Sequence, residues 1–223
     1  KVCDEKCLLL KKLKEADGNW EEALLKIKQF AYQLVSIRDA ARPFDSRLGI
    51  THFRWDLRNK GGNIKLSLGG VSAFVKEDSY AFRSIISDKP LYSGCHYWLI
   101  ILDFESQYEM KFGVTKSKEF NYETAFSDYE FGYAYYAIGQ LRHNNKSVGA
   151  SYGKKFTNEG RLGVFLDMNR GTLSFALNDE YLGVAFRDEK LETGPIWPAA
   201  ALLRQSGFSL VNNIEAPHYF IEP

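Results

Sequence analysis

The chain has 223 residues, enough at about 100 to 200 residues per domain for one domain and an extension. Its 29 basic and 28 acidic side chains leave almost no net field, which argues against nucleic acid or an anionic membrane as the main partner, since affinity for either leans on clustered, uncompensated Lys and Arg. Aromatics stand out at 15%, with 13 Tyr and 16 Phe, and rings pack well on pleated sheets.

From Leu9, apolar residues recur at alternating spacings of four and three: Leu9, Leu13, Ala16, Trp20, Ala23, Ile27, Phe30, Leu34, Ile37 and Ala41. Flanked by Lys and Glu, this heptad seam predicts a helix or helical hairpin over residues 1–42 with a coiled-coil face. Asp17-Gly18-Asn19 offers a break with a recap at Trp20, and Leu10, Leu24, Ala31 and Val35 widen the stripe. Both an intermolecular coiled coil and a hairpin packed on the following domain therefore stay open. Pro43 stops the helix, and residues 43–49 read as a linker.

The period then changes to two. Thr51 to Trp55, Ile64 to Leu68 and Val71 to Lys76 read as strands, with Gly61-Gly62 and Gly69-Gly70 as turns. Tyr80 to Arg83 leads to a loop at Ser87 to Pro90, followed by the largely apolar Tyr97 to Phe104 and Met110 to Thr115. Residues 117–160 are the least regular, with Arg142 to Lys146 read as a turn. Three further strands lie at Gly163 to Met168, Thr172 to Leu177 and Tyr181 to Phe186. Gly171 and Asn178 supply the positive φ that tight turns need. Leu173, Phe175 and Leu177 share one face of the middle strand, which predicts half burial. Short strands, turn residues between them and no helical period after residue 42 predict an antiparallel β-sandwich over residues 50–223 behind an N-terminal α-helical segment.

The run GVFLDMNRGTLSFALNDEYLGVAF resembles the SPRY domain pattern. Ser93-Gly94-Cys95-His96-Tyr97-Trp98, Lys111-Phe112-Gly113-Val114 and Trp197-Pro198-Ala199 are similar to three more of its strands, in the right order. The resemblance covers roughly residues 50–215. It implies a concanavalin-like jelly roll that binds peptide or protein partners without catalysis, often selecting targets for ubiquitin ligases. A coiled coil directly before such a domain looks like the C-terminal half of tripartite-motif ligases. No clear PRY extension, RING, B-box or SOCS box accompanies it.

The candidate chemistry is thin. Cys3 and Cys7 have a metal-like spacing, but no second Cys or His pair lies nearby, so they read as ordinary thiols; with Cys95 they favour a reducing, cytoplasmic setting over a disulfide framework. His52, His96, His143 and His218 are scattered without a ligand spacing, and His96 reads as a packed, hydrogen-bonded residue. Asp167 reads as a cap for the turn after it. Gly149 to Lys155 fails as a phosphate loop because it is one residue short and Lys155 replaces the Ser or Thr that would hold magnesium. No run of about 18 apolar residues predicts a membrane span. Lys1 is neither an initiator methionine nor followed by a signal sequence, so the chain is expected to be a piece of a longer protein. No catalytic residue, metal or cofactor is expected.

Recognition remains. In the SPRY and SOCS-box branch, peptide is held by an Arg followed by Pro and Ala, by a mid-domain Tyr and by a late Trp-Gly pair. Here Arg83 matches the Arg, Ile85 and Ser87 stand where Pro and Ala would be, Arg142 falls near the Tyr, and Leu203-Arg204-Gln205 replaces the Trp-Gly region. The expected partner-binding residues are Arg83, Ile85, Tyr129, Tyr136, Arg142, His143, Asn144, Arg204 and Gln205, on loops at one end of the sandwich. A protein or peptide partner and a homodimer through the helix follow from this reading. A scaffold subunit anchored by that helix is the rival.

Overall fold

The computed structural model describes residues 51–67, 69–103, 106–144 and 149–221. The expected N-terminal helix, Cys3, Cys7 and the linker lie outside these residues. The compact unit that contains them runs from Phe44 to Pro223.

Two antiparallel sheets face each other. One has six strands in the order β1 (Trp55–Lys60), β4 (Phe82–Ser87), β12 (Trp197–Leu203), β6 (Met110–Thr115), β7 (Gly132–Tyr136) and β8 (Gln140–His143). The other has seven, in the order β11 (Glu180–Arg187), β10 (Thr172–Leu177), β9 (Arg161–Asp167), β5 (Cys95–Leu102), β13 (Ser206–Val211), β3 (Ser72–Val75) and β2 (Ile64–Leu66). Alternate residues of each central strand point between the sheets, and these form the core: Ile85, Phe112, Val114, Tyr133, Tyr135, Ala200 and Leu202 from one side, Trp98, Ile100, Val164, Leu173, Phe175 and Phe208 from the other.

The aromatic content has its explanation in this layer. Ring contacts run from Trp98 to Phe53, Trp55, Phe208, Phe112, Phe156, Tyr135 and Phe175, each step 5.1 to 6.4 Å between centroids and mostly edge to face. Such geometry puts the positive ring edge on the negative face of the next ring.

The meander of β9, β10 and β11 forms as its turns predict. Gly171 has φ of 60°, and Asn178 and Asp179 have φ of 52° and 67°, the signature of a two-residue type I′ hairpin turn. Asp167 accepts from the Asn169 and Arg170 backbone N–H groups at 2.9 and 3.3 Å, which caps the intervening turn. Three expectations need correction. Strand β10 is buried on both faces rather than one, because Phe220 of the C-terminal helical turn His218–Ile221 covers its outer face beside Tyr97, Phe165 and Ala176. The first strand begins at Trp55, not Thr51, since Phe53 turns inward to wedge between Trp55 and Trp98. Arg142 and His143 lie on β8, paired with Ala134 and Tyr133, and the turn begins only at Asn144, whose φ is 56°.

One polar contact ties the sheets' edges together. The Tyr133 hydroxyl donates to Asp188 Oδ2 at 2.7 Å, and the Lys190 N–H donates to its Oδ1 at 2.9 Å. The Tyr133 contact first, then the Lys190 N–H, hold the Asp188 carboxyl below its usual value of 3.8, against an opposing push from burial. A depressed carboxyl stabilises the fold above the unfolded value and loses that contribution as pH falls through the folded one. Asp188→Asn is expected to cost about 1–2 kcal/mol at pH 7. The difference from wild type should shrink in urea melts as pH falls below the usual value of 3.8 and through the depressed folded one, and a constant difference across pH would refute the role of the charge.

Candidate recognition surface

The outward-facing residues of the six-stranded sheet are small where a loop lies on them and large where the sheet is open. Ala199 and Ala201 of β12, Gly113 of β6 and Gly132 and Ala134 of β7 carry residues 116–131, with Ala125 and Phe126 buried against Ile86, Ala134, Ala199 and Ala201. The contact is backbone to sheet. A Cβ on Gly132 would sit 2.1 Å from the Phe126 carbonyl oxygen. Ser84 latches the same segment, donating to the Thr124 carbonyl at 2.6 Å and accepting from the Phe126 N–H at 2.8 Å.

Beyond this loop, cations and rings interleave. Lys111 projects from β6 onto the outer face, its Nζ 4.3 Å from the Phe82 centroid and 5.2 Å from that of Tyr136. It donates to Ser127 Oγ at 3.3 Å and pairs with Asp128 at 3.4 Å, so it also tethers the loop. Burial pulls its pKa down, with Asp128 opposing. Arg142 stacks on Tyr136 at 5.1 Å, and Arg204 on Tyr108 at 4.9 Å. Tyr108 meets the 68% exposed Tyr80 edge to face at 5.9 Å. Phe82, two residues after Tyr80, meets Tyr136 edge to face at 5.8 Å, which joins the two groups of rings. Burial, then the charge of Glu109 and the nearby Tyr80, push the Tyr136 hydroxyl up.

The expected binding residues divide into three groups. Tyr136, Arg142, Arg204 and its neighbour Gln205 lie on or beside this patch and are partly exposed. Arg83, Tyr129, His143 and Asn144 serve as supports or lie to one side. The Arg83 Nε lies 3.1 Å from Glu77 and 2.9 Å from Glu123, and the side chain is only 12% exposed. Tyr129 stacks on Phe131 at 5.2 Å inside the 116–131 loop. His143 lies over Tyr133 on the opposite face of β8 from Arg142, with Nδ1 2.7 Å from the Gly132 carbonyl, while Asn144 is exposed at the strand's end and its N–H donates to Tyr129. Ile85 must be withdrawn. It is fully buried between the sheets, because position 85 falls on the inward side of β4. Arg83, Ile85, Tyr136, Arg142 and His143 thus sit on strands, not loops.

Sequence reasoning missed Tyr80, Phe82, Tyr108 and Lys111. A signal existed for Lys111, a lone cation between Met110 and Phe112 in an apolar strand. The tyrosines join only through pairing across β4, β12, β6 and β7.

On the outer face of the other sheet, a groove of about 660 Å³ lies beside the C-terminal turn, floored by Tyr97, Phe165 and Phe220 with Cys95, Asp167 and Arg170 at its rim. Burial, then the Asp167 charge, push the Cys95 thiol up, so it is a poor nucleophile at neutral pH. His96 is half-buried, its ring nitrogens 2.8 Å from Thr51 Oγ1 and 2.9 Å from the Ser93 carbonyl, and burial pulls its pKa down. Among the described residues no group of three His, Cys, Asp or Glu side chains is placed to hold a metal ion. No described helix is long and apolar enough to cross a membrane.

The fold is thus a two-sheet antiparallel sandwich with stacked arginines and tyrosines on one outer face. The SPRY domain family model matches residues 95–214, more than half of the chain. The chain belongs to the SPRY domain family, whose domains are in general non-catalytic protein–protein interaction modules. Among solved structures, it is similar to the SPRY domain of human HERC1, with a TM-score of 0.55 at 20% identity, covering 71% of this chain and 97% of that one. Stonustoxin is similar with a TM-score of 0.54 at 23% identity, over 72% of this chain and 27% of that one. At these identities the likeness is one of fold.

Proposed function

We propose that this domain captures a protein or peptide partner on the patch formed by Tyr80, Phe82, Tyr108, Tyr136, Arg142 and Arg204, and that it selects targets for a ubiquitin ligase in the cytoplasm. The observation that carries the reading is the pair of stacked arginines, since Arg and Tyr at the centre of a well-packed patch supply a disproportionate share of binding energy. Gln205 and Asn144 flank the patch as secondary contacts, and Arg83, Tyr129 and His143 shape it from beneath. The heptad seam ahead of the domain, in the manner of tripartite-motif ligases, would pair two copies and double the avidity.

The test is affinity capture of native partners by the full chain and by Arg142→Glu with Arg204→Glu, with ubiquitin linkage on the captured proteins as the second readout. Loss of substoichiometric, ubiquitinated partners from the variant supports the reading. Unchanged capture by a folded variant places the binding surface elsewhere. A single stoichiometric partner without ubiquitin would favour a scaffold role.

A further inference from the structure

We infer that the partner's recognised segment is an extended acidic peptide with two carboxylates, one for Arg142 and one for Arg204. This rests on the capture surface proposed above and specifies its ligand. Arg83, Lys111, Lys154, Arg161 and Arg170 each have a carboxylate within 4 Å. Arg142 and Arg204 have none among the described residues. Among the described residues the Arg142 guanidinium donates only to the Leu141 carbonyl, at 3.3 Å, and it lies on Tyr136.

Arg204 is the stronger case. Its Nε is buried and has no acceptor among the described residues, while its guanidinium lies over Tyr108. Buried donors are seldom left unpaired, and a guanidinium fork matches a carboxylate with two parallel hydrogen bonds. Arg204 also has φ of 48° in the tight turn between β12 and β13. That left-handed conformation suits Gly or Asn, so an arginine there is held against backbone preference, as residues at functional sites often are.

Charge balance selects carboxylates over phosphates or nucleic acid. Lys111, Arg142 and Arg204 share the patch with Asp128 and Glu109, a local surplus of one positive charge. Two monoanions at separate arginines fit this mixed field better than a dianion beside Asp128 and Glu109 or a polyanion, which needs uncompensated cations. Spacing follows from the sheet. From β12 to β8 there are three strand steps, about 14 Å, and an extended peptide advances about 3.3 Å per residue. Arg142 pairs with Ala134, which lies level with Gly113 and Ala199, so Arg204 is displaced by about 16 Å along the strands. The two arginines are then about 22 Å apart, the two acidic residues stand about six to seven positions apart, and the tyrosines between the arginines take apolar or aromatic side chains from the intervening residues.

The experiment is selection of random dodecapeptides on phage against the full chain, followed by fluorescence anisotropy with the winning synthetic peptide. The proposal expects enriched peptides with two Asp or Glu at that spacing and weaker binding as salt rises from 50 to 300 mM. It also expects a loss of about tenfold for Arg142→Gln, a similar loss for Arg204→Asn, and about 100-fold for both. Asn tolerates the left-handed turn and Gln keeps the β8 strand, so a thermal melt separates lost binding from lost folding. Enriched peptides that lack acids yet fail on the double variant would overturn the acidic ligand and leave the capture surface standing. Peptides that bind the folded double variant as well as wild type, or no enrichment at all, would overturn both.

Discussion

Gly132→Ala is expected to destabilise the domain by about 3 kcal/mol, at the upper end of overpacking costs, although it adds a single methyl group. The Cβ would meet the Phe126 carbonyl oxygen at 2.1 Å, its carbon at 2.7 Å and the Ser127 Cα at 3.0 Å. All three are backbone atoms, so no rotamer change relieves the clash, and the turn Phe126–Asp128 must lift from the sheet. Lifting it exposes Phe126, which is fully buried, and parts Lys111 from Ser127 and Asp128. Gly183 is the control. Its φ is 91° but a Cβ there meets nothing within 4 Å, so Gly183→Ala should cost only about 1–2 kcal/mol of backbone strain. Urea unfolding measures both, as a shift in midpoint at constant slope. Equal costs at the two positions would mean that the loop does not rest on the sheet. If the capture surface is as proposed, Gly132→Ala also weakens partner binding at temperatures where the domain is still folded, because Lys111 and Tyr136 lose their support.

Phe208→Ala is expected to cost about 3–5 kcal/mol, the range for removing a fully buried ring. Phe208 extends from β13 of the seven-stranded sheet and meets two rings of the opposite one edge to face, Trp55 at 5.2 Å and Phe112 at 5.1 Å. Truncation therefore opens a void between the sheets and removes two favourable ring contacts at once. At about 2–4 °C per kcal/mol for a domain of this size, the melting temperature should fall by roughly 6–20 °C. Phe208→Leu refills most of the volume and should recover more than half of the loss. A fall of less than 3 °C for the alanine variant would mean that the sheets collapse onto the gap, and that the aromatic series is not what holds them at their separation.

The outer patch and this inner aromatic series come from the same strands by alternation. On β7, Tyr133 and Tyr135 point into the core while Ala134 and Tyr136 point out; on β6, Phe112 and Val114 point in while Lys111 and Gly113 point out. A one-residue slip in register would exchange the two sets, so the tight core also fixes where the recognition residues stand.

Local rules were enough for the meander from Arg161 to Arg187. Its turns carry residues that tolerate positive φ, Asp167 caps its own turn, and period-two patterning marks its strands. Those interactions span few residues, so they are written in adjacent letters. Family membership rests on the same regularity. Ile85 shows the limit: aligned with a binding position, it lies on the inward side of β4 and is core. Arg83 shows it again, since Glu77 and Glu123, which occupy its guanidinium, lie 6 and 40 residues away.

By itself the sequence determined the sandwich, its strand-and-turn order in the meander and the SPRY family, because each depends on backbone preference and on alternation within a strand. The tertiary structure alone decided which tyrosines are core and which face outward, that Arg83 is a brace, and that Lys111, Tyr136, Arg142, Tyr108 and Arg204 form one patch. Those residues meet through pairing across β12, β6, β7 and β8; β7 and β8 form a local hairpin, but β6 pairs with β7 across about 20 positions and with β12 across about 90, and no local pattern encodes those registers.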